Sequence, residues 1–135
     1  MKKQLAMLVL MGLMVSAVPT LAHNGFTGVG TTLSYKTDPA PLKATKEGMV
    51  RFLFTRENQT QIQAKECSCT ILVYSGIPDP KVRPVAVGKI QQDKESLFFK
   101  FTPPKSGVYT LVLDAKPTKH DDFQVLKMYL PLMAE

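Results

Sequence analysis

Four residues carry the unusual chemistry open to this chain: Cys67, Cys69, His23 and His120, its only cysteines and histidines. The cysteines stand two apart in Glu66-Cys67-Ser68-Cys69-Thr70-Ile71-Leu72-Val73-Tyr74-Ser75-Gly76. That stretch is rich in β-branched and aromatic residues and closed by glycine, so it reads as a strand with Cys67, Cys69, Ile71 and Val73 on its inward face. Three readings of the pair are open. They are small apolar core residues, a disulfide, or a pair of thiolates for a soft ion such as Cu(I) or Zn(II). Alternate residues of an extended strand lie about 6.6 Å apart at a rise of roughly 3.3 Å each. Their Cβ atoms point in parallel, so a bridge is expected to need a bulge.

His23 becomes an amino terminus if the chain is cleaved after Ala22. Its amine and imidazole then chelate Cu(II), His120 adds a second imidazole, and Asp121 orients that ring. The candidate metal site is therefore His23, Cys67, Cys69 and His120, with copper the ion considered. It requires three distant stretches to meet at one end of the fold. The alternative is a structural or protein-interaction domain of the cell envelope, with no metal and the cysteines in the core.

No catalytic set accompanies these residues. The sequence has no nucleophile elbow, no phosphate-cradling glycine loop and no paired acids in a plausible cleft. The reading is non-enzymatic; an oxidative activity would have to run through copper at His23.

The opening of the chain sets the expected compartment. Lys2 and Lys3 precede an apolar run from Leu5 to Val18, and Thr20-Leu21-Ala22 offers a small-residue exit, the pattern of a secretory signal peptide. The run is short for a membrane span, so residues 1–22 are expected to be removed, leaving no span and an exported, periplasmic or extracellular protein. Residues 23–135 suit one sandwich domain. Cleavage removes two lysines and no acid, leaving 15 basic against 11 acidic residues and a net charge of +4. These charges are scattered through strands and turns without a dense run, which argues against a nucleic-acid partner. An envelope protein or a metal ion fits better, and oligomeric state is open.

Seven strands are expected to position the site. They are Thr31–Lys36, Met49–Thr55, Cys67–Ser75, Val82–Ile90, Leu97–Phe101, Val108–Leu113 and Phe123–Leu130, separated by proline- and glycine-rich turns. Residues 23–30 read as a loose lead-in and Ala115–Asp122 as a loop. No window sustains a helical period. The expected fold is an all-β, immunoglobulin-like sandwich. Its core draws on Phe52, Phe54, Leu72 or its face-mates, Phe99, Phe101, Tyr109 and Leu111.

Two resemblances add to this reading. Phe101-Thr102-Pro103-Pro104-Lys105-Ser106-Gly107-Val108-Tyr109-Thr110-Leu111 is similar to the corner of immunoglobulin-like and fibronectin-like sandwiches, where a Gly-x-Tyr opens a strand and the tyrosine hydroxyl bonds back. More broadly, four features resemble a group of small exported, mostly cyanobacterial proteins. These are the histidine at the mature start, the Cys-x-Cys-x-x-x-Val-Tyr strand, the Phe-x-Pro-x-x-Gly-x-Tyr corner and a final Phe-x-x-x-x-x-Tyr strand. That resemblance implies the fold and no activity. A more distant likeness to periplasmic copper-handling sandwiches rests on His23 and the fold, and the methionine-rich metal loop of some of those proteins is absent.

Overall fold

The computed structural model describes residues 25–28 and 30–135. The expected leader, residues 1–22, and His23 lie outside them. Nine strands run β1 Gly25–Gly28, β2 Thr31–Asp38, β3 Gly48–Thr55, β4 Cys67–Ser75, β5 Ala86–Lys89, β6 Gln91–Gln92, β7 Leu97–Phe101, β8 Gly107–Pro117 and β9 Leu126–Ala134. They form two antiparallel sheets, ordered β1-β2-β3-β7-β6 and β5-β4-β8-β9. This is the strand order of an immunoglobulin-like sandwich, with the outer strand of one half handed between the sheets.

Alternation along the strands builds the core. Val50, Phe52 and Phe54 of β3 face Ile71 and Val73 of β4 and Leu111 and Leu113 of β8 within one buried cluster. The inward face of β4 is the expected one, with Cys69, Ile71 and Val73 buried. Tyr109 is buried and makes the expected corner: its hydroxyl donates to the Lys105 carbonyl at 2.6 Å and accepts from the Lys105 N–H at 3.2 Å. Its ring packs edge-on against Phe101 at 5.3 Å.

Several boundaries differ from the sequence expectation. Residues 25–28 of the expected lead-in are a strand, with Gly25 opposite Ser34 and Gly28 opposite Thr31. Only Ala86–Lys89 of the expected Val82–Ile90 strand pairs with β4, because Pro84 has no N–H to give a ladder. The chain then crosses between sheets at buried Ile90 and pairs with β7 as β6. Gly88 permits the crossing, since a Cβ there would stand 2.5 Å from the Phe99 ring. Strand β8 runs on to Pro117, so Ala115–Pro117 is not loop, and Ala115 is buried.

The last strand is displaced toward the carboxyl end. Phe123 belongs to the preceding loop and plugs the core, 5.3 Å from the Phe54 ring and edge-on to it. Pro131 sits within β9, tolerable because β9 is an edge strand. After Pro39 and Pro41 the chain leaves the first sheet and runs parallel to the end of β9. The Leu42 N–H donates to the Met133 carbonyl at 2.9 Å, and the Glu135 N–H to the Leu42 carbonyl at 2.8 Å.

Candidate functional site

The end of the sandwich where β4 begins gathers most of the residues picked out by their chemistry. A 3-10 turn, Ala64–Glu66, leads directly into Cys67. The loop after β8 docks on it, with the Thr118 N–H donating to the Glu66 carbonyl at 3.0 Å. The cysteine stretch and the His120 loop therefore share one end, as the strand order requires. His23 lies outside the described residues.

Cys67 and Cys69 are joined by a disulfide, and their Cα atoms are 5.2 Å apart. Among the readings open from sequence, this one displaces the thiolate pair, because a bonded sulfur is no thiolate ligand. The expected bulge is absent. Cys67, Ser68 and Cys69 oppose Pro117, Lys116 and Ala115 in unbroken register. The strand closes up instead, from the roughly 6.6 Å of full extension to a span well within disulfide range. Cys69 is buried and Cys67 half-buried. His120 stands in solvent, its side chain 94% exposed, with Nε2 3.1 Å from Asp121 Oδ2. Among the described residues no three His, Cys, Asp or Glu side chains are grouped to hold a metal ion.

The organising residue of this end is Arg56, just past β3, which the sequence reading did not pick out. Its Nε and Nη2 donate to the two carboxylate oxygens of Asp122 at 2.8 and 2.7 Å, and Nη2 also donates to Glu66 Oε2 at 2.7 Å. Nη1 donates to the Gln61 carbonyl at 3.0 Å. The fork is only 14% exposed and ties together β3, the turn before β4 and the loop before β9. Hydrogen bonding from Arg56 holds the Asp122 carboxyl below its ordinary range, and the same bond raises the guanidinium further. Both carboxylates are thus committed to Arg56, which makes the cluster a brace for the loops around the disulfide.

A second feature occupies the outer face of the four-stranded sheet. Across the strands, Val87, Leu72, Val112 and Tyr129 stand in one row: Leu72 pairs with both Val87 and Val112, and Val112 pairs with Tyr129. The next rows toward the far end hold Tyr74, Thr110 and Pro131, then Val108 and Met133. Val87 is 69% exposed, Met133 56% and Tyr129 53%. The loop Ile77-Pro78-Asp79-Pro80 forms one wall of a groove of about 740 Å³ over this face, with Tyr129 and Lys127 on the other side. A signal for it was present in the sequence. Ile71-Leu72-Val73-Tyr74 and Leu111-Val112-Leu113 are unbroken apolar runs, the mark of strands apolar on both faces.

Comparison with protein-family models, with characterised proteins and with solved structures returns no match. The class is defined by the chain's own geometry: an immunoglobulin-like β-sandwich with one apolar outer face.

Proposed function

We propose that this is an exported, non-enzymatic docking module of the cell envelope, engaging protein through the outer face of the β5-β4-β8-β9 sheet. The observation that carries the reading is the row Val87–Leu72–Val112–Tyr129, apolar from edge to edge, whose ends Val87 and Tyr129 are exposed beside the groove walled by the Ile77–Pro80 loop. At a strand spacing near 4.8 Å and three rows, the apolar area has a footprint on the order of 400 Å². The largest apolar patch of a monomer is often of that size and often functional. A disulfide in a small sandwich suits an oxidising compartment. To test it, a photoreactive amino acid is placed at Val87 or Tyr129, and in a control at Lys36 on the opposite sheet, in cells exporting the full chain. Adducts to protein are expected from the first two positions. Equal adducts from Lys36, or none from either face position, would overturn the reading.

Copper binding at the cysteine end is the second reading. It is favoured by the Thr118–Glu66 bond that holds the His120 loop against the cysteine strand. Thiolate ligation would first require reduction of the Cys67–Cys69 bond. Titration with Cu(I) before and after reduction tests it: affinity that does not rise on reduction removes the cysteines as ligands.

A further inference from the structure

We infer that the Cys67–Cys69 bridge is a redox-active site that takes two electrons from a dithiol by thiol–disulfide exchange, with Cys67 the sulfur attacked and Cys69 the one released. The site is independent of the docking face. Its first ground is how little the bridge holds together. Loop closure stabilises a fold least when the loop is short, and this bridge joins residues only two apart within one strand. Cys67, Ser68 and Cys69 are already held by the ladder to Pro117, Lys116 and Ala115. The bridge fastens no second element. One of its sulfurs belongs to the first residue of β4, at the end of the sandwich, and Cys67 is only half-buried. Exposed bridges are the labile, regulatory or catalytic ones.

Position along the strand sets the direction of exchange. Both cysteines lie on the inward face of β4, so the line from Cys69 to Cys67 runs along the strand toward its open end. A thiolate attacks a disulfide in line, opposite the sulfur that leaves. Attack on Cys67 therefore comes from the end of the sandwich. Attack on Cys69 would have to come through the core past Ile71, and Cys69 is itself 4% exposed. Glu66, next to Cys67 in sequence, is neutralised by Arg56 at 2.7 Å, which lessens its repulsion of an incoming thiolate. Burial makes the thiolate released at Cys69 a poor leaving group. It returns to the mixed disulfide unless a second substrate thiol completes the exchange, which is why the substrate is a dithiol. In the first step a substrate thiolate bonds to Cys67 Sγ, the bridge breaks, and Cys69 Sγ leaves with the electron pair and takes up a proton. In the second, the other substrate thiolate attacks its partner sulfur in the mixed disulfide, and Cys67 Sγ leaves with that pair and takes up a proton. The substrate ends as a disulfide, and both of its thiol protons are matched by the two gained on the protein.

The experiment uses protein exported and purified from the full chain, with dithiothreitol as the dithiol and urea kept below the unfolding transition. Free thiols are read by alkylation and mass spectrometry, and the fold by circular dichroism. Reduction is expected to free both cysteines while the fold is retained. Its rate is expected to rise in proportion to dithiothreitol and to change by less than about twofold across the urea series, because the native protein itself reacts. A rate that climbs with urea in step with global unfolding would show a bridge reached only by unfolding, and would overturn the proposal. Thiols that stay free in the presence of oxidised glutathione would do the same. Two single variants read the direction of exchange. In oxidised glutathione, Cys69→Ser is expected to form its mixed disulfide at Cys67 at least about tenfold faster than Cys67→Ser forms one at Cys69. Equal rates, or a faster Cys69, would overturn the assignment of Cys67 as the attacked sulfur and with it the site. The wild-type urea series decides the matter even where a variant does not fold.

Discussion

The two outer faces of the sandwich meet the same problem differently. Each carries apolar side chains in a central cross-strand row. On the five-stranded sheet that row is Lys36–Arg51–Phe98–Gln91. Its one aromatic ring is roofed by Arg51, whose guanidinium carbon stands 6.0 Å from the centre of Phe98. Arg51 is itself fixed by Asp93 at 3.1 Å and Ser96 at 3.0 Å, and Phe98 is only 9% exposed. On the four-stranded sheet the corresponding row is Val87–Leu72–Val112–Tyr129, where Val112 is shielded by apolar neighbours to 5% exposure while Val87 and Tyr129 at the ends are 69% and 53% exposed. The chain is therefore capable of shielding an outward ring with a tethered arginine, and does so on one face alone. Stability explains the first face; an occupant is the better account of the second.

Inner and outer positions of one strand give the largest contrast. Leu111 and Val112 are neighbours in β8; Leu111 points into the core and Val112 out under Leu72 and Tyr129. Leu111→Ala is expected to cost about 2–5 kcal/mol by cavity formation. Val112, covered by its neighbours to 5% exposure, loses less volume, and Val112→Ala is expected to cost about 1–2 kcal/mol. Urea denaturation of both variants checks this. Equal costs would mean that Val112 is held as tightly as the core, and the open part of the face would shrink to Val87 and Tyr129 at the ends of the row.

The brace at the cysteine end comes next. Arg56→Ala leaves Asp122, Glu66 and the Gln61 carbonyl without their shared donor, and is expected to cost about 2–3 kcal/mol. Its pH signature follows from Asp122, whose carboxyl is held below its unfolded-state value by Arg56. A depressed carboxyl contributes stability above the unfolded value near 3.9 and loses it as pH falls through the folded value. Asp122→Asn is therefore expected to melt lower than wild type at neutral pH and to lose less on acidification below about pH 4. Parallel acid limbs in the two proteins would show that the pair does not couple to folding.

Much of the fold was legible because alternation and turn chemistry agree in the same segments. Cys67–Ser75 and Leu97–Phe101 match their strands at both ends, and Tyr109 makes the bond that Gly107-Val108-Tyr109 implies. The errors fall where an apolar residue serves something other than a strand. Phe123 looked like a strand start and is a plug against Phe54. The β5–β6 crossing was invisible because a strand that changes sheets keeps the composition of one that does not. The site was less legible still. Residue type picked out Cys67, Cys69 and His120, and spacing alone could not decide among packing, bridge and ligand. Arg56 was missed because Glu66 and Asp122, 10 and 66 residues away in sequence, meet only in the folded chain. The docking face was written in the sequence as apolar residues out of phase, such as Leu72 and Val112, which a core-centred reading takes as surplus core.

The remaining predictions act on the faces themselves. Arg51→Ala removes the roof from Phe98 and three polar contacts, and is expected to cost about 1 kcal/mol. It should also give the five-stranded face some of the character of the other, seen as increased binding of a hydrophobic dye. An unchanged dye signal would mean that the ring is shielded by other neighbours, and the contrast between the faces would weaken.

The smallest effect on stability is expected at Tyr129, and it is the most informative. Its side chain is 53% exposed in an edge strand, so Tyr129→Glu removes little buried area and keeps the backbone ladder to Val112. Melting should shift by no more than about 0.5 kcal/mol, as for surface substitutions generally. Yet the new carboxylate stands at the end of the apolar row, where any docked surface must desolvate it without a partner. Association through this face should therefore fall at least tenfold while the fold is untouched, a separation that a purely structural tyrosine cannot give. The matching change on the other sheet, Lys36→Gln, alters net charge by the same one unit at an exposed position and should leave both melting and association near wild type. Comparable losses of association in the two variants would show that net charge governs docking, and the difference between the faces would carry no function.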